Sequence, residues 1–287
     1  MMPDPGQSGF NPEQSAAIVG QRLSRAADVQ LAAVLVSVVE HLHDLIKELR
    51  PSVADWRQAI GFLTEIGHAS DDKRQEWVLL SDLLGVTALV EEINSHRPRG
   101  ATPNAMRGPF YRAGAPSMPL GASISLDGVG EPMVVRGRIL DLDGLPIAGA
   151  RIETWQANGD GKFENQEPDR QPDFNLRGVF FSAADGGYTY RTVRPAGYGV
   201  PDDGPVGQLL GRLGYPLRRP AHLHFRIGAD GFETLTTQVF DSSDPQLGND
   251  AVHAVRRELV GDIVRGSEGW ELAFDFVMVR AREGGPR

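Results

Sequence analysis

Apolar positions recur along this chain with two different periods, and the change falls near residue 100. From Asp28 to Leu49 they follow helical spacing in one long segment. Trp77, Leu80, Leu83, Leu84, Val86, Leu89, Val90 and Ile93 are then spaced for one helical face or two short helices. Start signals accompany these stretches. Asn11-Pro12-Glu13-Gln14 sets a capping residue before a proline at the first helical position. Ser52-Val53-Ala54-Asp55 and Ser70-Asp71-Asp72-Lys73 put a hydroxyl and then acids in a first turn, where the helix dipole favours negative charge. From Pro109 onward the pattern is short strands bounded by turns. MVVRGRILDLDGLPIAGARIETW holds two extended runs around Asp143-Gly144, a hairpin-type dipeptide. VFFSAADGGYTYRTV repeats this around Asp185-Gly186-Gly187, and HLHFRIGADGFETLTTQVF around Asp230-Gly231. WELAFDFVMVR reads as one last strand, Leu272, Phe274, Phe276 and Met278 alternating with Glu271, Ala273, Asp275 and Val277. The expectation is an α+β chain: a helical region over 1–104, then an antiparallel β-sandwich or barrel over 105–287.

Composition agrees with that division. Only seven of 34 glycines and five of 20 prolines precede Ala101, as helices require. The chain has no cysteine, which excludes disulfides, thiolate metal sites and cysteine nucleophiles together. Net charge is −9 with no basic run, so nucleic acid is a poor partner. No uninterrupted apolar run is long enough to suggest a membrane span, and MMPDPGQSGFNPEQ lacks the basic and apolar regions of a secretory signal. A cytoplasmic protein is expected.

The histidines separate by secondary structure. His41 and His43 lie in helical sequence, where positions i and i+2 diverge, and read as helix-surface or partly packed residues. His222 and His224 lie in PAHLHFRI, which alternates as a strand. Leu223, Phe225 and Ile227 would face the core, leaving both imidazoles side by side on the other face, where they could serve a non-haem metal. His-x-His in a strand is weak evidence on its own. Tyr198, set in Arg194-Pro195-Ala196-Gly197-Tyr198-Gly199, could plug a tight loop or give a phenolate to a hard ion. Arg218 and Arg219 could simply be a solvated pair.

PAGYG followed by RPAHLHF resembles the intradiol ring-cleavage dioxygenases, the catechol and hydroxyquinol 1,2-dioxygenases. EWVLLSDLLGVTALVEEIN, GPFYRAGAP, GLPIAGARIETWQANGDG and LTTQVF extend the resemblance over most of the chain. It implies a mononuclear non-haem Fe(III) cofactor, with an aromatic diol and O2 as substrates. It also implies a homodimer formed through the helical segment, with lipid bound at the interface, although LAAVLVSVV (31–39) could equally be an internally buried helix. Tyr198, His222 and His224 match metal ligands, Tyr198 being the one that leaves when the diol binds. Arg219 matches an arginine that stabilises the carbanion-like substrate, and Gln238 a glutamine beside the histidines. Leu79, Asp82, Met106, Arg107, Gly108, Pro109, Phe110, Ala251 and Val252 match pocket positions, with GPF and NDAVHAV closer to hydroxyquinol than to catechol enzymes.

One position departs from the pattern. The family's second tyrosine ligand falls in a motif resembling W-x-A-x-x-x-G-x-Y-[DS], which here reads from Trp155 through Ala157 and Gly161 to Phe163-Glu164. Phe163 keeps the volume and loses the oxygen. The resemblance then leaves two functional readings: intradiol cleavage by a site with one phenolate, or altered metal or aromatic binding on the same scaffold. Glu164 could compensate only through a bulge or loop, since adjacent strand residues face opposite ways.

Overall fold

The computed structural model describes residues 10–71, 74–95 and 97–281. The chain packs as two compact units, residues 1–65 and 66–287. The division at 104/105 follows element type, whereas packing groups the last helices with the sandwich.

The first unit holds α1 (Ser15–Leu23), α2 (Val29–Leu49) and most of α3 (Val53–His68). The side chain of Asn11 accepts from Gln14 N–H before α1, and that of Asp28 accepts from Leu31 N–H, each at 2.9 Å. Ser52 and Asp55 form a reciprocal cap, Asp55 N–H donating to Ser52 Oγ and Ser52 N–H to Asp55 Oδ2. His41 and His43 diverge as expected: His41 Nδ1 meets Ser37 O within its helix, and His43 Nδ1 meets Ser15 Oγ. At 21 residues and a mean hydropathy of 1.5 over its apolar window, α2 is long and apolar enough to cross a membrane by length and composition. The sequence reading, which looked for an uninterrupted apolar run, did not anticipate this.

The second unit opens with α4 (Glu76–Leu83) and α5 (Val86–Asn94), two short helices broken by Gly85 at φ 72°. The start signal at Ser70 does not open a helix at that point: Asp72 and Lys73 lie outside the described residues, and α4 begins at Glu76. The fully buried Glu76 carboxylate pairs with Arg74 and accepts from Val206 N–H at the start of α6 (Pro205–Arg212).

Two five-stranded sheets follow. The first contains β1 (Pro132–Asp141), β4 (Gly187–Val193), β10 (Ile263–Gly266), β11 (Gly269–Ala273) and β12 (Phe276–Met278). The second has the order β3 (Arg177–Phe181), β2 (Arg151–Gln156), β7 (His222–Gly228), β8 (Leu235–Asp241), β9 (Val260–Gly261). Met133, Val135, Tyr190, Leu272 and Phe276 of one sheet and Ile152, Phe180, Leu223, Phe225 and Val239 of the other share one buried core, which makes the unit a sandwich. A two-stranded ribbon of β5 (Tyr198–Gly199) and β6 (Arg218–Arg219) completes the strands among the described residues.

Three expectations need correction. The sheets are mixed, not antiparallel, because β11 and β12 run parallel to β1 and β9 runs parallel to β8. Of the three Asp-Gly turns, only the one at Asp230-Gly231 joins paired strands, β7 and β8. Asp143-Gly144 closes a short local hairpin, with Leu140 bridging Pro146, before the chain crosses to the other sheet, and Asp185-Gly186 also precedes a crossing, so a turn signal alone does not identify the sheet partner. The last strand breaks at Phe274-Asp275, where the Phe274 carbonyl approaches Gly137 so closely that a Cβ there would lie 1.8 Å from it. The alternation survives the break: Leu272, Phe276 and Met278 are all buried.

Candidate active site

Strand register assembles the site. In β7, Leu223, Phe225 and Ile227 enter the core and His222 and His224 face away from it, both buried. His224 stands opposite Trp155 of β2 and Gln238 of β8. In the ribbon Tyr198 stands opposite Arg219. Gly197 permits this approach, since a Cβ there would lie 2.7 Å from the Arg219 carbonyl.

Three donor atoms converge. His222 Nε2 lies 3.1 Å from His224 Nε2 and 3.5 Å from Tyr198 Oη. His222 Nδ1 donates to Pro220 O at 2.7 Å, which fixes the tautomer and leaves the Nε2 lone pair facing inward. Burial, and then the nearby Arg219 cation, pushes the His222 pKa down to about 3. Burial, His222 and Arg219 push His224 well below the usual range, so both imidazoles are neutral. Burial raises the Tyr198 phenol, partly offset by Arg219. Arg219 is itself fully enclosed. Its Nε donates to Asp250 Oδ1 at 3.0 Å and its Nη2 to Gln238 Oε1 at 2.7 Å, while Nη1 lies 3.5 Å from Tyr198 Oη. Burial opposes ionisation of Asp250, but Arg219 outweighs it and holds that carboxyl below its ordinary range. Trp155 stacks on His224 with ring centroids 4.8 Å apart and fixes the imidazole plane.

These donors suit a metal ion. Among the described residues no cluster of three His, Cys, Asp or Glu forms, so a tyrosine must complete any set. The two Nε2 atoms lie 3.1 Å apart, a spacing that a hydrogen bond from His224 to His222 satisfies and that also fits two imidazoles each about 2.1 Å from one ion. His224 Nδ1 is buried without a hydrogen-bond partner.

Phe163 forms a wall beside the donors. It is buried, stacks on Phe110 at 4.3 Å, and lies 5.5 Å from Tyr198 and 6.2 Å from His224, centroid to centroid. Glu164 does not replace the missing oxygen. It opens a short 3₁₀ turn, with its carboxylate accepting from Arg177 Nε at 2.7 Å and Arg112 Nη1 at 2.6 Å. Tyr188 and Tyr190 lie in the core, bonded to Phe274 O and Thr154 Oγ1.

The pocket positions divide. Met106 O accepts from Gln238 Nε2, Gly108 packs against His224 Cε1, and Phe110 stacks on Phe163. Ala251 and Val252 are buried directly after Asp250. Asp82 lies within electrostatic reach of Arg219; burial raises its pKa against the pull of Thr87 and Arg219, and its Oδ1 is buried with no partner. Leu79 is half-buried on α4 and Pro109 is exposed. Arg107 is also exposed, its guanidinium 5.0 Å over Tyr111. Asp250 and the Glu164–Arg177 pair were missed in the sequence, because carboxylate–guanidinium pairing across a fold leaves no local pattern.

Comparison with known proteins gives a consistent picture. The chain matches a family model described as Dioxygenase over residues 106–280 and one described as Catechol dioxygenase N terminus over residues 28–102. It is 46% identical to a hydroxyquinol 1,2-dioxygenase of Rhizobium sp. (strain MTP-10005), covering 94% of this chain and 96% of that protein. It is 45% identical to a 6-chlorohydroxyquinol 1,2-dioxygenase of Cupriavidus pinatubonensis, covering 90% and 93%. The crystal structure of hydroxyquinol 1,2-dioxygenase from Pseudomonas putida DLL-E4 superimposes with a TM-score of 0.88 at 34% identity, covering 94% of this chain and all of that one.

Proposed function

The chain belongs to the intradiol ring-cleavage dioxygenase family, and on that premise we propose that it cleaves hydroxyquinol-type diols between their two hydroxylated carbons. O2 is the co-substrate, and both of its atoms enter a cis,cis-muconate or, from hydroxyquinol, a maleylacetate. The convergence of Tyr198 Oη, His222 Nε2 and His224 Nε2 beside a buried arginine carries this reading.

A mononuclear non-haem Fe(III) held by Tyr198, His222 and His224 would supply the Lewis acidity and electron-accepting capacity the reaction needs. The chain's own groups do the rest. Tyr198, as the phenolate, accepts a proton from the incoming diol and becomes a neutral phenol, while the negative charge passes to the diol oxygen, with the Arg219 cation nearby to offset it. Arg219, held from behind by Asp250 and Gln238, keeps Nη1 beside Tyr198 Oη and His222 Nε2, where its cation faces charge that develops on the ring. Phe110 and Phe163 give the ring an apolar face and exclude water.

Asp82 supports a preference for hydroxyquinol over catechol. Its unpartnered, buried Oδ1 suits a third ring hydroxyl as donor. Asp82→Asn is expected to lower kcat/KM for hydroxyquinol about tenfold, equivalent to ~1.4 kcal/mol, and to leave catechol within about twofold. Steady-state product formation with both diols checks this. An equal loss on both would remove the assignment.

The helical region serves, on this reading, as a dimerisation segment of a cytoplasmic homodimer with lipid at the interface. The exposed stripe Leu31, Val34, Leu35, Val38, Leu42, Leu45 and Leu49 on α2 supports it.

A further inference from the structure

The charge of the donor set points to the oxidation state the chain holds at rest. Among the described residues, Tyr198 is the one side chain at the site that can give the metal a negative charge. Both imidazoles are neutral, Phe163 has no donor atom, and Glu164 is held by Arg177 and Arg112. The other tyrosines are committed elsewhere: Tyr111 to Glu153, Tyr188 to Phe274 O, Tyr190 to Thr154, and Tyr215 to Leu83 O and His253. The Arg219–Asp250 pair nearby sums to zero, and its positive end is nearer: Nη1 lies 3.2 Å from His222 Nε2. A divalent ion with one phenolate leaves a net charge of +1 in this enclosed site, and a trivalent ion leaves +2. Excess charge is expensive where water is excluded.

We infer that this chain by itself holds iron in the ferrous state, and that a bound diol dianion, not a second protein phenolate, makes the ferric state accessible, each centre then giving one electron to the co-substrate O2, which leaves as superoxide. The sum supports this: with the diol dianion bound and Tyr198 protonated, a ferric centre carries +1, the same excess that a ferrous ion with one phenolate carries at rest. The inference rests on the reading that Tyr198, His222 and His224 hold the metal, and it makes Phe163 the residue that sets the potential.

The test compares Phe163→Tyr with the wild type. Zn(II) is titrated first, anaerobically; one equivalent bound by both proteins shows that the site forms and that the variant is folded. Iron-loaded protein is then titrated with ferricyanide, each ferrous centre giving one electron to yield ferrocyanide. Phe163→Tyr is expected to favour ferric over ferrous iron by at least about 100-fold relative to wild type, a fall in potential of roughly 120 mV at 59 mV per tenfold. It should also gain a visible phenolate-to-iron band. Independently of the variant, Zn(II) is expected to outcompete Ga(III), a redox-silent trivalent ion, on the wild type. Metal binding with unchanged potentials, or Ga(III) displacing Zn(II) from the wild type, would overturn the inference alone. Failure of the wild type to bind any metal would overturn the underlying site.

Discussion

Replacing His224 by alanine is expected to remove stoichiometric iron and to lower ring-opening activity by at least roughly 10³-fold, as when one member of an interdependent catalytic set is lost. The reason is geometric. His222 and His224 present Nε2 atoms 3.1 Å apart from one rigid strand, and no other imidazole or carboxylate among the described residues joins them. Loss of His224 leaves Tyr198 and His222, too few donors to hold an ion against solvent. His41→Ala is the control, since His41 is exposed on α2 and bonded only within its helix. Iron content by mass spectrometry and product formation should separate the two variants completely. Equal iron in both would contradict the donor assignment.

Arg219→Met should harm both rate and stability, by different routes. Removing a fixed cation beside developing negative charge costs about 10²–10³ in kcat. The same substitution leaves the Asp250 carboxylate buried without its partner, at about 3–5 kcal/mol. A chain of this size should then lose about 10 °C in Tm. The two effects can be separated. Adding Asp250→Asn removes the orphaned charge and should restore most of the Tm while leaving kcat low. Recovery of kcat in the double variant would mean that Arg219 acts only through packing.

How much of this was legible in the sequence depended on whether a feature leaves a local pattern. The alternation in HLHFRI was sufficient to place Leu223, Phe225 and Ile227 in the core and both histidines opposite, because strand period is a property of the backbone itself. The spacing from Trp77 to Ile93 leaves one helical face or two short helices open, and Gly85 at φ 72° makes it two. Strand pairing was less legible. Asp143-Gly144 and Asp230-Gly231 both turn the chain back on itself locally, yet after the first the next strand joins the other sheet and after the second it pairs with its predecessor, because the core decides which edge the next strand joins. In the site, Tyr198 and Arg219 entered through resemblance of the surrounding motifs, and register shows them paired. Asp250 lay beyond reach, since nothing near it in sequence signals that its carboxylate holds a guanidinium 31 residues away. Glu164 looked available from sequence alone, and its ion pair with Arg177 removes it.

The most direct test of intradiol cleavage follows both atoms of dioxygen. Iron-loaded protein is given hydroxyquinol under ¹⁸O₂, and the ring-opened product is examined by mass spectrometry. The account predicts a maleylacetate-type acid carrying two ¹⁸O atoms, one in each carboxyl group formed by the broken bond. A quinone without added oxygen, a product cleaved outside the two hydroxylated carbons, or unchanged substrate would contradict it.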